Sequence, residues 1–279
     1  MNTLNRARQG VAALVGCLVL LALGTPGQAQ LLPIVIDTAD LGVPTGVGIA
    51  DGGFETSGLG GFTPIGVVDV VGTVSGDPLL SPSSGSSQVF LQTGDGSNDN
   101  FIANPLTADI APDVALDVFL GLAPGAIDGF IGITDLDGES EGATEGSAVR
   151  QTFEVLAPTT LSFDFNFATD ELDQPSAFSD TAFFVLDGEI SLLGNVEDDD
   201  DFTDTTSAFE FDGATGFQNF SVSLDPGVHT IGFGVVDVSD AVVNSALLID
   251  NITVSPEPGT GLLVGLAAAV GLTRRRRGE

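Results

Sequence analysis

The chain reads as all-β, on three observations. Glycine (37), proline (14) and phenylalanine (19) are abundant while Trp and Tyr are absent, and turn-formers mixed with Val, Ile, Thr and Phe favour many short strands. Leu161, Phe163, Phe165 and Phe167 alternate with Ser162, Asp164 and Asn166, which is the period of two of a half-buried strand. Proline–threonine, aspartate–glycine and aspartate–proline–glycine runs punctuate such stretches where a chain must turn.

In order, strands are expected over residues 66–74, 87–92, 147–155, 160–167, 181–186, 217–222, 229–236 and 246–254. Residues 113–122 differ. Val114, Leu116, Val118 and Leu122 fit either a short helix or a strand, and Pro112 favours the helix because proline suits a first turn. No repeat of fixed period is visible. The expected organisation is one domain over 49–254, preceded by a linker over 30–48. Roughly 225 residues remain once both ends are removed, enough for a sizeable core in a single all-β domain.

The charge is extreme and unevenly placed. Formal net charge is −32, and all seven basic residues are arginine. Arg6 and Arg8 lie at the start, Arg274, Arg275, Arg276 and Arg277 at the end, and Arg150 alone between them. Of 39 acidic residues only Glu279 follows the terminal arginines. Nucleic-acid binding needs cations to displace counterions, so that function is excluded. Acids this dense are spread over hydrated strand faces and loops, collect cations, or do both.

Both ends read as addresses. Arg6 and Arg8 precede an apolar run over residues 11–23, and small residues Gly27 and Ala29 follow it. This is the pattern of a secretory signal over 1–29, cut by signal peptidase after Ala29. A competing reading places a lipobox at residues 14–17 with Cys17 acylated, but the apolar run continues beyond that cysteine. Cleavage after Ala29 leaves no cysteine and hence no disulfide. At the other end Pro256-Glu257-Pro258 is followed by 15 uncharged residues, 259–273, and then by Arg274 to Arg277. As a helix, 259–273 spans roughly 22 Å against a hydrocarbon core of about 30 Å. It is a poor permanent anchor and a workable transient one, and the arginines hold its end in the cytoplasm. The alternative is an ordinary tail anchor. Residues 255–279 closely resemble the PEP-CTERM sorting signal of exported bacterial proteins. The resemblance implies an exosortase that processes the tail near Pro256, Glu257 and Pro258, leaving the product at the cell surface or in the extracellular matrix.

The domain carries a second resemblance. Residues 50–55 look like the opening strand, and 247–254 like the closing strand, of carbohydrate-binding-module-like jelly rolls. Residues 119–122, 144–153, 165–171, 180–184 and 235–240 are similar to the domain of many PEP-CTERM surface proteins. The resemblance implies a single jelly-roll-like β-sandwich with one short helix insertion, flanked by the signal peptide and a short C-terminal transmembrane helix. Such sugar binders stack pyranose rings on Trp or Tyr. Here Phe62 stands at the corresponding place, a residue type more often found in a core.

No catalytic set is apparent. His229 is the only histidine and sits in a strand-like run, so no Ser-His-Asp set, Cys-His dyad or zinc site can be assembled. No glycine fingerprint for phosphate follows a strand and opens a helix. Calcium is the one chemistry the acids point to. Asp95, Ser97 and Asp99 alternate as in Ca²⁺ loops but lack the glycine and distal Glu of an EF-hand. Residues 135–141 and 197–201 read as solvated acidic turns. Glu55 and Asp250 match positions that hold a structural Ca²⁺ in the jelly rolls the chain resembles. Asp170, Glu171, Asp180, Asp237 and Asp240 fall at strand ends, where loops converge.

The expected function is that of a non-enzymatic surface or matrix protein associated with exopolysaccharide. A carbohydrate-binding module and a two-carboxylate glycoside hydrolase are the alternatives. The charge alone generates one expectation. Repulsion among unscreened acids destabilises the compact state, and screening shortens from about 30 Å at 0.01 M salt to about 3 Å at 1 M. The melting temperature of the full chain should therefore climb across that range of NaCl, and a flat thermal-denaturation series would show the repulsion to be already neutralised.

Overall fold

The computed structural model describes residues 47–56, 58–74, 80–94, 116–132, 142–171, 179–196, 203–204, 211, 213–239 and 243–257. The chain divides into two units, Met1–Asp40 and Leu41–Glu279, and every described residue belongs to the second. Ala29, Pro258, residues 259–273, Arg274 to Arg277 and Asp240 lie outside the described residues, as do Asp95 to Asp99, 135–141 and 197–201.

Strands, numbered along the chain, form two antiparallel sheets. Sheet A runs β1 (Thr63–Ile65), β4 (Ala143–Val155), β11 (Gly227–Val238), β6 (Thr181–Leu186) and β7 (Glu189–Asn195). Sheet B runs β2 (Val67–Val71), β3 (Gln88–Gln92), β12 (Ser245–Pro256) and β5 (Thr159–Thr169). On the far side of β5, β10 (Gln218–Leu224) pairs with Thr159 to Phe165, and β9 (Gly213–Ala214) pairs with Ala168 and Thr169. β8 (Thr203–Asp204) lies beyond β9. The all-β sandwich expected from the sequence is the fold found.

Local chemistry explains the connections. Between β6 and β7 the chain reverses through Asp187 (φ 51°) and Gly188 (φ 89°), the paired positive φ of a two-residue turn that an Asp-Gly pair favours. β7 was not among the expected strands. Between β1 and β2 the chain changes sheets at Gly66 (φ 80°), where an added Cβ would lie 2.3 Å from Ser147 Oγ. Only glycine fits there.

Phenylalanine fills the space between the sheets. Phe163 of β5 meets Phe233 of β11 edge to face, with centroids 4.8 Å apart, and Phe184 of β6 at 4.9 Å. Phe220 of β10 stacks on Phe163 at 5.1 Å and also meets Phe184 at 5.3 Å. Phe62 is also core, 5.7 Å from Phe54 and 6.3 Å from Phe233, so it offers no stacking platform to a sugar. Each buried ring removes roughly 150–250 Å² from water.

The outer faces are covered too. The expected helical insertion is two short helices, α1 (Leu116–Phe119) and α2 (Ala126–Ile131). Leu116, Leu120 and Ile127 pack on Ala148, Phe183, Val185 and Val236 of sheet A. Buried Asp117 orders the second helix, accepting from the backbone N–H of Gly125 at 2.7 Å and of Ile127 at 3.0 Å. On sheet B, Val74, Leu80 and Phe211 cover Phe90, Ala168, Ala246 and Leu248. Among the described residues no helix is long and apolar enough to cross a membrane.

Candidate functional site

The covering of sheet A stops short and leaves an open trough of about 410 Å³ lined by Leu120, Gly121, Thr152, Asp187, Gly188, Val228 and Thr230. Strand alternation builds its floor. Thr152 of β4 and Thr230 of β11 are register partners whose hydroxyls stand 2.9 Å apart. The residues leaving α1, Leu120 and Gly121, form one wall, and the Asp187–Gly188 turn closes one end. Exposed Val228 supplies apolar surface, and buried Leu120 backs the wall.

Asp187 is held in place from two sides. Its Oδ1 accepts from the backbone N–H of Thr230 at 2.8 Å, and its Oδ2 lies 2.7 Å from His229 Nδ1. The second imidazole nitrogen, Nε2, lies 2.8 Å from the Asp225 carbonyl oxygen. Both ring nitrogens thus face acceptors, the arrangement that suits an imidazolium with two N–H donors. Desolvation works against the charge, but the Asp225 carbonyl and the Asp187 carboxylate outweigh it and raise the His229 pKa above the ordinary histidine value.

A second concentration of polar groups lies between the sheets at one end of the sandwich. Past the phenylalanine core the inward-facing positions turn polar: Phe165 and Phe167 of β5 lead to Thr169 and Glu171, and Leu247 of β12 gives way to Ser245. Val235 of β11 is followed in phase by Asp237, Ala182 of β6 is preceded by Asp180, and Val149 of β4 is preceded by Glu145. Glu145, Glu171, Asp180 and Asp237 are each at most 1% exposed. Ser245 Oγ donates to Thr169 Oγ1 at 2.8 Å, and Glu171 N–H donates to the same oxygen at 3.0 Å. Asp180 Oδ1 accepts from Val238 N–H at 3.0 Å. Burial, with Asp237 and Glu171 close by, pushes the Asp180 pKa well above the usual carboxylate range.

The strand-end acids expected to group together divide as follows. Glu171, Asp180 and Asp237 share this layer, while Asp170 is half-buried at the end of β5. Glu145 was not singled out in the sequence. It faces the core from β4, and an added Cβ at Gly94 would lie 2.4 Å from its Oε1. Among the described residues no three acidic, histidine or cysteine side chains are placed, as they stand, to hold a metal ion.

Glu55 and Asp250 both bind the serine loop at 83–87. Glu55 accepts from Ser86 N–H and Ser86 Oγ, each at 2.7 Å, and from Ser87 N–H at 3.0 Å. These bonds hold its carboxyl below the usual range. Asp250 Oδ2 accepts from Ser84 N–H at 2.8 Å and Ser83 Oγ at 3.1 Å, and its Oδ1 from Asn251 N–H at 2.6 Å. At the C-terminus, β12 pairs Pro256 with Thr159, and Glu257 N–H donates to the Pro158 carbonyl at 3.2 Å.

No protein-family model matches the chain, and no curated protein matches it by sequence. Among solved structures it is similar to a family 61 carbohydrate-binding module in complex with β-1,4-galactotriose. That match is 12% identical with a TM-score of 0.36, over 74% of this chain and 95% of that one. A structure of carbohydrate-binding modules of the β-sandwich superfamily is 10% identical with a TM-score of 0.33, over 75% of this chain and 63% of that one. The enzymatically active domain of a bacteriophage CBA120 tailspike is 9% identical with a TM-score of 0.28, over 74% of this chain and 21% of that one. At these scores the likeness assigns no ligand and no residue role here.

The His229–Asp187 contact sets a pH dependence. A pKa raised by folding gives stability that is fully present below the unfolded value of about 6.5 and is lost as pH rises through the folded value. The melting-temperature deficit of His229→Gln relative to wild type should therefore be largest near pH 6 and shrink towards pH 9. A deficit independent of pH would mean that the imidazole is not charged.

Proposed function

We propose that this protein is exported to the cell surface, where the trough on sheet A binds a polysaccharide without cleaving it. The observation that carries this reading is the trough's chemistry. A fixed carboxylate, two neighbouring hydroxyls and exposed turn backbone lie beside the apolar surface of Leu120 and Val228. Sugars present hydroxyls in the ring plane and C–H groups on its faces, so they need this mixture of directional acceptors and apolar contact. Glycoside hydrolysis requires two carboxyl groups flanking the bond. Asp187 is the one carboxylate among the described lining residues, which favours binding over turnover.

Export and display rest on the two terminal sequences. The signal over 1–29 is removed by signal peptidase. The tail over 255–279 tethers the chain to the membrane until an exosortase acts on it near Pro256-Glu257-Pro258. The extent of the fold supports this division, since β12 continues to Pro256 and Glu257 N–H still bonds the domain. A processing enzyme acting at the motif would meet the chain where the sandwich ends. The released domain then belongs to the surface or to an exopolysaccharide matrix.

Two measurements test the reading. On a bacterial polysaccharide and glycan array, the wild-type chain should bind, and Asp187→Ala should weaken binding about tenfold to a hundredfold, the loss of a charge-assisted hydrogen bond. Undiminished binding by that variant, absence of binding to every glycan, or new reducing ends on the bound polymer would overturn it. Intact mass of surface-extracted protein should show a chain lacking Arg274 to Arg277, and a mature species that retains them would refute the processing step.

A further inference from the structure

The acidic layer at the end of the sandwich is a larger energetic problem than the trough. Glu145, Glu171, Asp180 and Asp237 are withdrawn from water, and a buried carboxylate without compensation costs several kcal/mol even after relaxation. Elsewhere in proteins Lys or Arg supplies the compensation. Here Arg150 is the only basic side chain besides His229 between residues 9 and 273. Arg150 is engaged on the outer face of sheet A, 4.7 Å over the Phe119 ring and bonded to the Phe119 carbonyl. His229 is bound to Asp187.

One oxygen shows where compensation is missing. Asp180 is fully buried, and its Oδ2 has no hydrogen-bond partner. The Ser245 hydroxyl is the side-chain donor beside Asp180, but its one proton is shared with Thr169 Oγ1, 2.8 Å away. The nearest charges to Asp180 are those of Asp237 and Glu171, so this unmet acceptor looks into a group of like charges.

We propose that this layer is a structural cation site, in which Asp180, with Asp237 and Glu171, holds one Ca²⁺ between the two sheets. The ligand atoms available are all oxygens, carboxylate and hydroxyl, with no imidazole or thiolate, and that set selects a hard cation. Calcium suits it better than magnesium. It accepts irregular shells of six to eight oxygens, whereas Mg²⁺ demands near-ideal octahedral geometry and gives up water reluctantly, and this layer is shielded from water. A divalent ion also answers a charge that a single proton would only partly cancel. As they stand the three carboxylates do not form a ligand set, so binding requires their side chains to close on the ion. The residues come from β5, β6 and β11, so a bound ion would tie sheet B to sheet A where the phenylalanine core ends. The site is separate from the trough, and glycan binding plays no part in its test.

The full chain, stripped with EDTA, is melted in EDTA, in CaCl₂, and in NaCl matched for ionic strength. With Ca²⁺ at a hundredfold excess over Kd the midpoint should rise by about 5–10 °C beyond the NaCl control. Calorimetry should count one Ca²⁺ per chain. Asp180→Asn removes charge from the layer while keeping shape. It should melt no lower than wild type in EDTA, yet show no calcium increment. Asp237→Asn serves as a second variant, and Asp250→Asn, which alters the serine-loop anchor, should keep the increment. Equal wild-type midpoints in EDTA and CaCl₂ would mean that protons alone neutralise the layer, and would overturn the proposal. An increment that survives both Asp180→Asn and Asp237→Asn, or that is lost only in Asp250→Asn, would overturn it equally.

Discussion

Phe163 and Phe233 meet edge to face across the gap between the sheets, and every feature used above is measured in steps of two from that contact. β5 and β11 are central strands with partners on both sides, β12 and β10 for the one, β4 and β6 for the other. A slip of one residue in either would exchange its two faces. The phenylalanines would turn outward, and Asp237 or Glu171 would leave the layer they share with Asp180. The same phase places Thr230 and Thr152 on the outer face, where they floor the trough. Core packing and site geometry are therefore one constraint.

A chain with so few cations must anchor its acids by other means, and it uses backbone and hydroxyl donors. Asp51 accepts from the N–H groups of Glu55 and Thr56, Asp117 caps the turn into α2, and Asp128 accepts from Ala143 N–H at 2.9 Å. Asp164 accepts from the Asn219 and Asn251 amides, and Glu55 and Asp250 hold the serine loop. These bonds fix loops, helix ends and strands to one another, with a carboxylate in the place an arginine fork takes in less acidic proteins. This chemistry suffices near the surface, where water completes the solvation. It runs short at Asp180 in the end layer, whose buried Oδ2 has no hydrogen-bond partner.

The trough exists because the helical cover is short. Gly232 lets α1 approach, since an added Cβ there would lie 2.4 Å from Leu120 Cδ2, and Arg150 clasps Phe119 from below. Beyond Gly121 the cover turns away and the strand surface carrying Thr152 and Thr230 is left open. The imidazole that steadies Asp187 comes from the start of β11, 42 residues along the chain.

Local sequence determined much of this. The alternation from Leu161 to Phe167 specified β5 and its buried face, the Asp187-Gly188 pair specified a reversal, and the missing lysines specified a domain unable to neutralise its own acids. The terminal patterns carry the expectation of export and sorting by composition alone. β7 escaped notice because the shift in its register beside Ala182 and Phe183 breaks the period of two, and edge exposure leaves Leu192 on the surface. α2 is a single short turn that depends on Asp117, nine residues before it, for its first bonds. Only tertiary structure could decide that Glu145, Glu171, Asp180 and Asp237 are buried in one layer, and that Asp187 meets His229. Strand alternation tells which side of a strand a residue occupies, but which strands lie side by side follows from the packing of the whole core.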